Sequence, residues 1–275
     1  MKKFAYSFFV VSTLLFFISC SESTNTDDAD WSESFNALES ELNEYNDKFF
    51  SDIDTRSGFF RKLGRIVSAD ALGALLGYGA MGPVGGFGGA VISSLGCMIA
   101  DMCESEASSM EYDDFFDSSA VIFEDDLSND VIYIGNAHNE LISQILEDNI
   151  GLEDLSNSEL VELIEYSAEE YGYDFPSIPT STLDYILSLS DRSTSDEMFS
   201  MVEIDFPSLQ DQIHIVEIYS QNLPNVEKDL IADYSLGFIN VIENSKIDNN
   251  SKNMIEASVS VAGNSSVLWD QCSVE

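Results

Sequence analysis

Thirty consecutive residues, Ala71 to Ala100, carry no charge, and the stretch ADALGALLGYGAMGPVGGFGGAVISSLG at 69–96 holds nine glycines. Each glycine inside a helix costs about 1 kcal/mol relative to alanine, so a helix this rich in glycine persists only where unusually close packing offsets the loss. The small residues are in phase. Ala69, Gly73 and Gly77 recur every four residues before Pro83, Gly82, Gly86, Ala90 and Ser94 do so across and after it, and Gly85, Gly89 and Ser93 form a further ladder. A repeat of four lays small side chains along one helix face, where a second backbone can approach. Gly82 and Pro83 supply a break. The spacing predicts a helical hairpin, roughly 66–80 and 84–102, with Gly73, Gly77, Gly82, Gly86 and Gly89 as its helix-packing residues. Arms of that length fall short of the roughly 20 residues that cross a bilayer. Read as one kinked helix, 71–100 is long enough to span, with a basic flank before it and an acidic flank after. The run is therefore core, or a segment that enters a membrane or self-associates. Its phase, and residues such as Leu75, Leu76, Phe87, Val91 and Ile92, oppose a flexible linker.

The amino terminus, MKKFAYSFFVVSTLLFFISC, sets Lys2 and Lys3 before an apolar stretch that stops at Cys20, the layout of an export signal. Phe17, Ile18, Ser19 and Cys20 resemble a bacterial lipobox. That resemblance implies cleavage before Cys20, acylation of its thiol, and a lipid-anchored protein of the bacterial cell envelope, at the outer membrane or cell surface. Each buried acyl CH₂ adds roughly 0.8 kcal/mol of membrane affinity. The polar, acidic residues that follow are expected to form a solvated tether over 20–34. Asp28, Asp30, Ser32 and Glu39 fall at ligand positions of an EF-hand loop, but Glu33 stands where its turn needs glycine.

Formal charge is −39, and removal of residues 1–19 takes away Lys2 and Lys3 to leave −41. Such a surface repels nucleic acid and anionic lipid headgroups. No Lys or Arg lies between Arg65 and Arg192. The basic cluster in RSGFFRKLGRIVS, with Arg56, Arg61, Lys62 and Arg65, is expected to pair with the acidic remainder or to sit beside membrane phosphates. Cys97, Cys103 and Cys272 are an odd set for an exported chain, and Cys97 and Cys103 are too far apart on one continuous helix to bond.

Beyond the hairpin, apolar periodicity predicts helices almost throughout. Phe35, Leu38, Leu42, Tyr45 and Phe49 make one stripe, and Val131, Ile134, Leu141, Ile142, Ile145 and Leu146 another. Ser156 and Glu159 have capping-box spacing, Pro176 and Pro179 mark a break, and 180–190 is a short helix. Pro207 opens a helix through Leu223, Pro224 opens the next, and a last helix runs from about 250 to 269. SAVIFE and DVIYIG are the two stretches that read alternatively as short strands. The expected fold is all-α, a helical bundle built around a glycine-rich hairpin. Its segments are the signal (1–19), the tether (20–34), a first helix with the hairpin (35–104) and an acidic helical domain (105–275).

Reaction chemistry is sparse. His138 is expected at a helix boundary, bonded to a carbonyl, His214 as a partly exposed neighbour of an apolar stripe, and Trp269 in the core. No catalytic, phosphate-binding or metal-ligand motif occurs, so neither an enzyme nor a cofactor is expected. ADALGALLG, IGNAHNELI and SSVLW resemble segments of glycine-zipper-containing exported proteins of Bacteroidota, a group that brings no known activity. Two functions fit: a non-enzymatic interaction protein tethered to the envelope, or a membrane-active, pore-forming or toxin-like protein that uses 69–100.

Overall fold

The computed structural model describes residues 27–51, 61–104, 131, 133–148, 152–175 and 177–271. Its regular structure is helical, with no strand among the described residues. The α-helices are α1 (Asp27–Ser51), α2 (Arg61–Glu104), α3 (Tyr133–Asp148), α4 (Asn157–Glu170), α5 (Thr180–Ser188), α6 (Ser195–Asp205), α7 (Gln210–Asn222), α8 (Ile231–Asn244) and α9 (Asn249–Gln271). The fold is an all-α bundle. DVIYIG takes no strand form where described, because Tyr133, Ile134 and Gly135 open α3; SAVIFE lies outside the described residues.

The span α2 is two helical arms folded into a hairpin. Met81 (φ −144°) and Gly82 (φ 69°) leave helical geometry, so 61–80 and 83–104 fold back on each other. Gly82 takes a positive φ that costs an L side chain roughly 1–2 kcal/mol, which makes it the turn residue and not a packing residue. Pro83 follows at the first position of the second arm, where its missing N–H would have no helical partner. The arms run longer than the predicted 66–80 and 84–102. At 1.5 Å per residue each is about 30 Å long, so by length alone, contrary to expectation, each arm reaches across the hydrocarbon core of a bilayer.

Helices α2 and α9 form the centre, and α3, α5, α6, α7 and α8 pack around them. Residues 254–266 of α9 are buried without interruption. A helix covered on every side is usually apolar all round. Here the sequence MIEASVSVAGNSS is mostly small, and Ser258 and Ser266 return their hydroxyls to the carbonyls of Met254 and Gly263 on the same helix. That satisfies the hydroxyls without a partner helix and keeps α9 thin enough for close neighbours. Gly135 of α3 lies against the backbone of Ser260, where a Cβ would collide.

Helix α1 begins at Asp27, well inside the stretch expected as tether. Trp31 is the physical reason: its ring packs on Phe35 and its Nε1–H donates to Asp211 Oδ2 at 3.0 Å. Farther along, Phe35, Leu38 and Leu42 are buried, and Tyr45 donates to the Tyr234 carbonyl at 2.8 Å. The first helix thus docks on α7 and α8. Three other boundaries differ from expectation. Pro207 opens a short 3-10 turn and Pro224 is the second residue of another (Leu223–Asn225), with α7 starting at Gln210 and α8 at Ile231. Helix α6 was not anticipated, although Thr194 caps it by accepting from the Glu197 N–H at 3.2 Å.

Candidate functional site

The five glycines singled out from the sequence divide by role. Gly73 and Gly77 of the first arm face Gly89 and Gly85 of the second, and a Cβ at any of these four would run into the opposing backbone. Gly86 lies beside this seam, where a Cβ would stand 3.3 Å from the Ala74 carbonyl oxygen and the Tyr78 Cβ. The ladder that meets Gly73 and Gly77 is therefore Gly85, Gly89 and Ser93, while Gly82 is the turn. Cys20 lies outside the described residues. The glycine faces close within a single chain, and most of the apolar segment 64–100 is buried. Its exposed part is the tip, with Met81 at 43% and Val84 at 41%.

Asp70, one position before the uncharged run, is fully buried between the hairpin and α9. Its Oδ2 accepts from Ser94 Oγ at 3.0 Å and from Ser265 Oγ at 2.5 Å, and Trp269 Nε1 donates to Ser94 Oγ at 3.3 Å. One carboxylate thus ties the first arm to the second and both to α9. From α3, His138 approaches with Nε2 at 3.8 Å from Asp70 Oδ2, too long for a hydrogen bond. His138 Nδ1 donates to Asn139 Oδ1 at 3.0 Å, Asn139 Nδ2 to the Asn264 carbonyl at 2.8 Å, and Asn264 Nδ2 to the Ser260 carbonyl at 2.9 Å. Asp70 Oδ1 and His138 Nε2 have no hydrogen-bond partner. The expectation of a boundary histidine bonded to a carbonyl is corrected in one respect: the ring is completely buried inside α3, beside a carboxyl group.

Burial decides the charge states. It pushes the Asp70 carboxyl up to about 8, against the pull of the Ser265, Ser94 and Trp269 donors. It drives the His138 imidazole down to about 4, against the Asn139 amide oxygen and the Ala90 carbonyl. At neutral pH both groups are uncharged, so the pair is a neutral polar contact and not an ion pair. Serine, histidine and aspartate meet here without triad geometry, because both hydroxyls donate to the carboxyl and neither to the imidazole. What the cluster can do is fix register: it is a polar pin through four helical segments of the interior.

Arg65 belongs to the same interior. It is buried, and its guanidinium donates to the carbonyls of Ser190 (3.1 Å), Arg192 (3.0 Å) and Cys97 (3.3 Å). The Ser190 and Arg192 carbonyls lie at the end of the 3-10 turn after α5, where a cation complements the exposed C=O groups. Arg65 is therefore neither a surface phosphate ligand nor a rim charge, and Arg56 lies outside the described residues. Cys97 is a buried thiol.

Sequence reasoning identified the glycine seam but passed over Asp70, Ser94 and Ser265. The available signal was Asp70 itself, a single acid on a helix face whose neighbours Ile66, Ala74 and Gly77 are apolar or small. No family model matches the chain, and neither a curated protein nor a solved structure does.

Proposed function

We propose that this chain is a bacterial lipoprotein, related to the glycine-zipper-containing exported proteins of Bacteroidota, that is held in the cell envelope by Cys20 and acts by binding and not by catalysis. The observation that carries this reading is the closed hairpin. The apolar run is spent inside the fold, glycine against glycine and under α9, which leaves membrane attachment to the acylated cysteine. Asp70 and His138, the groups best suited to acid–base chemistry, are sealed from substrate, which supports a binding role. An acidic surface of this magnitude favours a cationic protein partner over nucleic acid. The test is metabolic labelling with an alkyne fatty acid, followed by membrane fractionation, for the native chain and Cys20→Ala. Label and membrane association should both be lost in the variant. Retention of the variant in the membrane fraction would overturn the proposal.

A second reading has its own support: the arms are long enough to cross a bilayer, Asp70 within them is uncharged, and Met81 and Val84 expose an apolar tip. Under it the outer helices open and the hairpin enters a target membrane. Dye release from liposomes by the mature Cys20→Ser protein separates the two. Leakage at micromolar protein supports insertion, and intact vesicles support the tethered binding protein.

A further inference from the structure

His214 is the second histidine of the chain, and its surroundings are unlike those of His138. It lies half-exposed on α7, one turn before Glu217 and across from Glu203 of α6. One ligand atom from each of Glu203, His214 and Glu217 can be chosen so that all three lie within 4.8 Å of one another. From α1, Glu39 places Oε1 at 3.4 Å from His214 Nε2, while Glu217 Oε2 stands at 3.7 Å from Nδ1. The two ring nitrogens therefore have different neighbours, one on a docked helix and the other within a cluster of carboxylates.

We propose that Glu203, His214 and Glu217 form a binding site for a first-row divalent cation of the zinc class, with Glu39 as the carboxylate that orients the histidine. Two observations converge on it. The separation of Nδ1 and Glu217 Oε2 is longer than a hydrogen bond yet close to the roughly 3.4 Å between two donors on one tetrahedral zinc, given metal–donor distances of about 2.0–2.1 Å. Histidines that ligate through one nitrogen almost always donate the other N–H to a carboxylate or carbonyl, which is the place Glu39 occupies.

An imidazole donor beside carboxylates selects zinc or its first-row neighbours over calcium, which takes oxygen ligands. Three protein ligands leave a fourth position for water or a donor from a partner. The site joins α6 and α7 directly, and through Glu39 it holds α1, the helix that follows Cys20. Bound metal would therefore stabilise the docking of α1 by linkage, since only the assembled helices present the whole set.

The experiment uses the mature, tag-free Cys20→Ser chain, metal-stripped, titrated with Zn²⁺ against a chromophoric chelator, with Co²⁺ absorption as a second readout. One equivalent of Zn²⁺ should bind with Kd at or below about 10 μM. His214→Ala should weaken binding at least tenfold, and Glu39→Gln should weaken it about 10- to 100-fold without removing a ligand. Circular dichroism checks that these surface variants fold. Binding weaker than 10 μM, or zinc binding that His214→Ala leaves unchanged, overturns the site. Tight Ca²⁺ binding equal to that of Zn²⁺ and indifferent to His214→Ala does so too, because it identifies charge screening by the acidic surface.

Discussion

Replacing Asp70 with asparagine should make the protein more stable at neutral pH and flatten its response to pH. The carboxyl is fully buried and held protonated up to about 8, whereas in the unfolded chain it ionises near 3.8. Between those values the folded state carries one proton that the unfolded state has released, so this group's stabilising contribution is complete below 3.8 and falls as pH rises toward 8. The slope is about 1.4 kcal/mol per pH unit, and at pH 7 the accumulated loss is about 4 kcal/mol. Asparagine is nearly isosteric with the protonated acid, and its amide oxygen can still accept from Ser94 and Ser265. Its amide group carries one more N–H than the acid hydroxyl, on the side where Asp70 Oδ1 has no partner, and an unmade buried bond costs about 1–3 kcal/mol. The net gain at pH 7 is therefore about 1–3 kcal/mol. The difference in slope is free of that correction. The assay is urea unfolding of the mature Cys20→Ser protein and its Asp70→Asn form, followed by circular dichroism at pH 5, 6, 7 and 8. The native chain should lose stability relative to the variant by about 1.4 kcal/mol for each unit from pH 5 to 7 and by less from 7 to 8. If Asp70→Asn instead lost 3–5 kcal/mol with an unchanged slope, Asp70 would be ionised and paired with a charged His138, as expected on breaking a buried ion pair, and the neutral assignment would be refuted.

His138 should act in the opposite sense to Asp70 below pH 6.5. Its imidazole is neutral in the fold down to about 4 but ionises near 6.5 when unfolded, so its contribution is complete above 6.5 and declines as pH falls toward 4. His138→Gln, in the same urea titrations extended to pH 4, should gain stability relative to the native chain as pH falls below 6.5, and a difference that stays constant from 6.5 to 4 would count against the assignment. Among the glycines, Gly85→Ala and Gly89→Ala should each cost about 1–3 kcal/mol or more by pushing a Cβ into the opposing backbone, whereas Gly86→Ala should cost clearly less. Thermal melts that ranked Gly86→Ala as the worst of the three would reject the assigned seam. Arg65→Met should destabilise by about 2–4 kcal/mol, because it removes charge-assisted donors from buried carbonyls, and hydrogen exchange should show the loss first around 188–192. A loss spread evenly over the chain would show that Arg65 does not act as a local cap.

How far a residue's role could be read from sequence depends on whether it is set locally or by the folded bundle. Gly82 and Pro83 announced the hairpin because a turn is specified within a few residues, and the phase of four exposed the small-residue faces because helical periodicity is local. Which ladder met which was not readable, since Gly85 and Gly86 differ by one residue and only the turn geometry at Met81 and Gly82 sets the rotation of the second arm. Helix α9 misled for a related reason. Its Met254, Ile255, Val259, Ala262 and Leu268 mark one apolar face, yet Ser258, Ser265 and Ser266 are buried too, because their hydroxyls bond back to their own helix or reach Asp70. Hydrophobic pattern records the cost of burying polar atoms, and it has no signal where each polar atom carries its own partner.

The same reasoning explains why the two polar clusters differ so much in legibility and in expected consequence. Asp70, Ser94, His138 and Ser265 are spread over nearly 200 residues, and Glu39, Glu203, His214 and Glu217 over a similar span. No spacing rule joins either set. In a chain with 50 acidic residues, a carboxylate at any position is uninformative until its surroundings are known. Burial then separates the sets: it removes the charge from Asp70 and His138, turning chemistry into register, whereas partial exposure leaves His214 and its neighbours accessible to a cation. Along the glycine seam and the serine-rich face of α9 large side chains do little to fix register, because such surfaces can slide by a turn with little change in volume. A neutral carboxyl that accepts from the opposite arm and from α9 breaks that degeneracy, since a shift of one turn would strand its hydroxyl donors in the interior. The stability lost by keeping Asp70 protonated is, on this account, the cost of holding the hairpin in a single register.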